Sequence, residues 1–106
     1  MRVVILPGAE QDVRDIKRHI SKTFGKEVWG ETYSKLKKTF SQLKEFPLTG
    51  TVIEELDEVG PIGYRAAVCG MNKVIYSIQN DILYIHIVTD ARRDMKALLA
   101  KRLLKM

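Results

Sequence analysis

Lys73-Val-Ile-Tyr-Ser-Ile78, then Gln79-Asn80-Asp81, then Ile82-Leu-Tyr-Ile-His-Ile-Val88 is the stretch whose reading decides the fold. Two runs rich in β-branched and aromatic residues flank a short polar segment, which is the pattern of paired strands. Asn and Asp tolerate the positive φ of a tight hairpin, so the two runs should pair antiparallel. Upstream, Tyr64-Arg-Ala-Ala-Val-Cys69 leads into a turn at Gly70-Met71-Asn72 and supplies a third strand. Together they predict a three-stranded antiparallel meander.

Working outward toward the N-terminus, the period changes. Ala9, Val13, Ile16, Ile20 and Phe24 recur every three or four residues, which predicts an amphipathic helix ending at Gly25. Trp29, Tyr33, Leu36, Phe40 and Leu43 continue the pattern in a second helix, with aromatics in its core stripe, ended by Pro47. Two such helices joined at a glycine fold as an antiparallel hairpin. Ahead of them Val3-Val4-Ile5-Leu6 reads as a strand stopped by Pro7-Gly8. Thr51 to Leu56 reads as a weaker strand, edge or loop because of its acidic residues, and Gly60-Pro61-Ile62-Gly63 as loop. Past the meander, Thr89 or Asp90 is the expected cap of a last helix with Met95, Leu98, Leu99 and Leu103 as its apolar stripe. The fold class is therefore α+β. A single domain over residues 1–106 is expected: N-terminal strand near the meander, helix hairpin on one sheet face, C-terminal helix.

Composition narrows the function classes. The chain has 45% hydrophobic and 29% charged residues, ordinary for a globular protein. One cysteine, Cys69, excludes an internal disulfide and suits a reducing cytoplasm. No run approaches a signal peptide or the roughly 20 apolar residues of a membrane span, so a cytoplasmic protein without membrane contact is expected. The net charge of +5 is unevenly placed. Residues 1–90 hold 12 Lys/Arg and 12 Asp/Glu, whereas residues 91–106 hold six basic residues against Asp94 alone. Such a basic tail suits nucleic acid or an acidic partner, or is a solvated helix face.

With these residues placed, the chain resembles the RelE/ParE superfamily of toxins. The resemblance rests on the element order and on several local matches. These are Ala9-x-x-Asp12-x-x-x-Ile16, Tyr64-Arg65, Val74-Ile75-Tyr76-Ser77-Ile78, Ile85-His86-Ile87-Val88, and the exit Asp90-Ala91-Arg92-Arg93-Asp94-Met95. It implies a growth-inhibiting toxin of a type II toxin–antitoxin system, of the kind that serves plasmid stabilization. A cognate antitoxin would neutralise it, and operator DNA would be reached only through that antitoxin. Two targets follow from the two branches. ParE-like members block DNA gyrase by binding, and RelE-like members cut mRNA on the ribosome.

RNA cleavage needs a base, cations for the phosphorane and an acid. Arg65, Lys73 and Arg92 or Arg93 are the candidate phosphate clamp, expected on one sheet face, with His86 and Glu54 or Glu55 as candidate proton-transfer groups. Against a nuclease, Ala67 stands where the resemblance expects a second basic residue, and no tyrosine or histidine follows His86. The Arg92-Arg93 pair fits the ParE-like branch, which is favoured, with the mRNA endoribonuclease as the alternative. As target or antitoxin contacts the candidates are Arg65, Arg92, Arg93, Lys96, Lys101 and Arg102, with Lys105 also in the basic helix. Cys69, His19 and His86 are too sparse for a zinc site, and neither metal nor cofactor is expected.

Overall fold

Asn80 and Asp81 both take positive φ, 52° and 62°, so the hairpin turn forms as its residues dictate. In the computed structural model, which describes residues 1–54 and 63–103, that turn joins β4 (Asn72–Gln79) to β5 (Ile82–Asp90). The other elements are β1 (Arg2–Ile5), α1 (Pro7–Phe24), α2 (Lys26–Glu45), β2 (Thr51–Val52), β3 (Arg65–Cys69) and α3 (Met95–Leu103). The sheet has the order β1-β5-β4-β3-β2. β1 runs parallel to β5 and the remaining pairs are antiparallel. The α+β class, the helix hairpin, the meander and the terminal helix are all present.

Several boundaries differ from expectation for local reasons. α1 starts at Pro7, because proline's fixed φ and missing N–H are tolerated in the first turn. β2 is only Thr51–Val52, extended by one bond from Ile53 N to the Tyr64 carbonyl. Ile53 and Glu54 are not strand, and Glu55 and Leu56 of the expected strand, with Gly60 to Ile62, lie outside the described residues. β5 runs on through Thr89 and Asp90, so neither caps α3. Asp94 does, its Oδ1 accepting from Ala97 N at 3.2 Å. Between the helices Gly25 adopts φ +98°, and its N–H bonds to the Ile20 and Ser21 carbonyls, closing α1 as α2 begins.

Both faces of the sheet are covered. The helix hairpin packs on one face, enclosing Ala9, Leu36, Leu43, Val74, Tyr76, Leu83, Ile85 and Val88. α3 packs on the other, where Leu98 and Leu99 close over Ile75 and Ile87. Burying a leucine contributes roughly 2 kcal/mol, so these two anchor the helix. Covered faces explain why β5 reads as a nearly continuous apolar run instead of an alternating one. A β-bulge adds to this: Ile75 faces Ile87 and Tyr76 faces Ile85, leaving His86 unpaired. The extra residue puts His86 and Ile87 on the α3 side in succession and returns Val88 to the hairpin side.

Tyr33 was expected in the core of α2 but is 42% exposed. Its ring stacks on half-buried Trp29 with centroids 5.4 Å apart, and Lys37 Nζ sits 4.7 Å above it. Leu36 and Leu43 carry the buried stripe instead.

Candidate partner-binding site

Strand alternation decides which candidate residues can meet. Arg65 pairs with Tyr76 in register and lies on the hairpin side, while Lys73 pairs with Val68 and Thr89 on the α3 side. Tyr76 is also three residues along β4 from Lys73, about 10 Å. Arg65 and Lys73 therefore do not converge on one phosphate, contrary to the expected clamp.

Arg65 is turned inward. Its guanidinium donates to the Gly50 carbonyl at 2.8 Å and to the Leu48 carbonyl at 3.2 Å. Beside it the fully buried Tyr76 donates its hydroxyl to the Pro47 carbonyl at 2.7 Å and accepts from Gly50 N at 2.9 Å. A side chain at Gly50 would overlap the Tyr76 ring, so only glycine permits this approach. Burial pushes the Tyr76 hydroxyl pKa above its ordinary value. Together the pair fastens the segment between α2 and β2 to the sheet.

Lys73 lies at the opposite side, in a shallow apolar groove with Val52, Ala66, Val68, Met95 and Leu99. Arg92 and Arg93 stand elsewhere again, where β5 has outrun β1. β1 pairs only with Ile82 to Ile85, so the outer edge of β5 beyond that point faces α1 rather than a strand. The result is a groove of about 400 Å³ floored by Ile16, Ile20, Phe24 and Val88 and rimmed by His19, Arg92 and Arg93 among others. Phe24 in that floor is 63% exposed. Asp12 substitutes for a strand partner at the groove's inner end, accepting from Val88 N at 3.0 Å.

The two arginines differ. Arg92 forks onto Asp90, with Nε to Oδ1 at 3.2 Å and a terminal nitrogen to Oδ2 at 3.0 Å. Hydrogen bonds from the Arg92 side chain and backbone hold the Asp90 carboxyl down to about 2. Arg93 is exposed and, among the described residues, makes no ion pair. It is the cation left to present its full charge at the groove mouth.

Arg102 has an internal partner. Its guanidinium pairs with Asp12, with bonds of 3.0 and 3.2 Å to the two carboxylate oxygens, and reaches the His86 carbonyl at 3.5 Å. Gly8 leaves it room, since a Cβ there would stand 2.9 Å from the guanidinium. This ties the end of α3 to the start of α1 around the sheet edge. Lys96 and Lys101 remain exposed on α3, while Lys105, Glu55 and the side chain of Leu103 lie outside the described residues.

His86 sits on the bulge, half-buried, with Nε2 2.8 Å from the buried Ser77 hydroxyl and its ring edge-on to Tyr64 at 5.1 Å. Burial pushes its pKa below the ordinary 6.5. Glu54 is exposed just past β2. Among the described residues no three His, Cys, Asp or Glu side chains gather as metal ligands. No helix among them is long and apolar enough to cross a membrane.

The groove combines an apolar floor opened at Phe24, a stretch of strand edge that no strand covers but whose Val88 N is held by Asp12, and an arginine with no ion pair among the described residues, which are elements of a surface for a protein segment. It was hidden from sequence reasoning, although Ile16, Ile20 and Phe24 were legible as one stripe. Nothing in the sequence says that β1 is too short to cover β5, so the stripe alone does not reveal that its C-terminal part lines a groove. A family model described as the ParE toxin of type II toxin-antitoxin system, parDE, matches residues 3–96 of the chain. No curated protein matches it.

Proposed function

This chain belongs to the ParE toxin family of type II toxin–antitoxin systems, and on that premise we propose that it arrests growth by binding DNA gyrase and not by cutting RNA. An antitoxin partner follows from the family. The observation that carries the choice of mechanism is the dispersal of the cations. Arg65 is spent on backbone carbonyls, Lys73 lies across the sheet from it, and Arg92 is committed to Asp90. Phosphorane stabilisation needs donors aimed at one developing charge, whereas inhibition by binding needs only a complementary surface.

In this reading the groove between α1 and the outer edge of β5 is the contact surface, with Arg93 as its charged anchor and Arg92 supporting it. Its apolar floor, opened at Phe24, suits an antitoxin segment. Lys96 and Lys101 on α3 steer an acidic partner toward the molecule, and Arg65 and Arg102 act indirectly by holding the scaffold. Within minutes of induction, mapping RNA 5′ ends and chromosomal DNA breaks in the same cells tests the proposal. DNA breaks and filamentation with intact mRNA are expected; cuts at codon boundaries without DNA damage would overturn it in favour of a ribosome-dependent endoribonuclease.

A further inference from the structure

Counted along the chain, residues 1–90 carry no net charge, yet α1 does not present an even surface. Arg14, Lys17, Arg18, Ser21 and Lys22 recur at helical spacing and line one open face together. This face is turned away from the core stripe of Ala9, Val13 and Ile16. Its cations run from Arg14 to Lys22, about 12 Å along the helix. Compensation is slight. Arg14 donates to the neutral Gln11 amide oxygen, and Arg18 reaches Asp15 only at 3.7 Å with both side chains mostly exposed. Exposed pairs of that kind contribute little.

We infer that this face of α1 is a contact surface for the phosphate backbone of double-helical nucleic acid. The residue types decide between occupants. Protein interfaces are built around aromatic and aliphatic anchors and are depleted in lysine, and the stripe contains no apolar residue. Unpaired strands are held by stacking on aromatic rings, and the stripe has none. What remains is a row of Arg, Lys and Ser donors, the set that contacts phosphate and sugar without reading sequence. The surface is separate from the groove beside β5 and does not depend on the identity of the toxin's protein target. Binding is non-specific, with Kd on the order of 10⁻⁴–10⁻⁶ M at physiological salt.

The test is fluorescence anisotropy of the purified full chain with labelled duplexes of mixed sequence, DNA and RNA in separate arms, between 50 and 200 mM salt. Three variants are compared: R14Q/K17Q/R18Q/K22Q, the milder R14Q/K17Q, and K96Q/K101Q on the far side of the sheet as control. Circular dichroism and thermal melting confirm folding, and the double variant serves if the quadruple one fails to fold. Each phosphate neutralised contributes about −0.9 to the slope of log K against log salt, so the quadruple variant should lose up to about 3.6 of slope and the double variant about half that. The control, which removes two charges, should lose less slope than R14Q/K17Q, which also removes two, and at least one duplex should bind in this manner. Any of three results overturns the inference: an unchanged slope in the stripe variants, a single strand of equal length binding as tightly as the duplex, or polyglutamate of matched charge displacing the duplex, which would point to an acidic protein instead.

Discussion

Replacing Arg102 by alanine removes a side chain whose ion pair with Asp12 ties α3 to α1. The pair it makes with Asp12 is intermediate in exposure, 28% and 16% for the two side chains. Fully exposed pairs contribute about 0.2–1 kcal/mol, and removing one partner of a buried pair costs about 3–5 kcal/mol. The geometry falls between these, and two bonds to a carboxylate are lost while Asp12 keeps only Val88 N. An expected loss is about 2 kcal/mol, which for a domain near 100 residues lowers Tm by roughly 8–16 °C. Thermal melting by circular dichroism measures this directly. R102K should recover only part of the loss, because an ammonium cannot match both carboxylate oxygens as the guanidinium fork does. Asp12→Asn, which keeps an acceptor for Val88 N, should cost less than R102A. The double variant D12N/R102A should be less destabilised than the sum of the singles. A Tm for R102A within 2 °C of wild type, or strict additivity, would refute the reasoning and return Arg102 to the surface as a partner contact.

Two further predictions concern the scaffold. Gly50→Ala pushes a methyl into the Tyr76 ring and should cost about 1–3 kcal/mol by overpacking. Tyr76→Phe leaves Gly50 N without its acceptor and should cost about 1–3 kcal/mol, read as a drop in the denaturant midpoint. The pH dependence has a defined sign. His86 has its folded pKa depressed, so the unfolded chain takes up its proton first. The stability His86 confers is present above pH 6.5 and is lost as pH falls from 6.5 toward the folded pKa. His86→Gln, which preserves a hydrogen bond to Ser77, should flatten the Tm profile in that window, and an unchanged profile contradicts the assignment. Asp90 contributes in a separate acid window, with stability present above 3.8 and lost toward about 2, so the two groups are distinguishable.

The parts of the fold legible in the sequence are those set by local chemistry. The Asn80-Asp81 turn, the glycine at position 25 and the 3.6-residue stripes fixed the hairpins and the helix pair. What stayed hidden depends on how strands are paired. Arg65 and Lys73 look like neighbours among basic residues, and only the register reveals that they face opposite sides. The bulge at His86 was masked because a strand covered on both faces loses its alternation. Asp94 is not legible as a cap, since β5 runs two residues further than its apolar run. The charge count was similarly deceptive. Two cations of the basic tail, Arg92 and Arg102, are committed to Asp90 and Asp12, whereas α1, which holds three acidic residues beside its four basic ones, sorts its cations onto one exposed face.

The central claim is growth arrest by a binding surface whose charged anchor is Arg93. A supercoiling assay with purified DNA gyrase and relaxed plasmid tests it most directly. The wild-type chain is expected to inhibit supercoiling, R93Q to inhibit roughly tenfold less or weaker still while keeping its Tm, and ribosome-bound mRNA to stay intact under either protein. Unimpaired gyrase in the presence of the wild-type chain, or equal inhibition by R93Q, would contradict it.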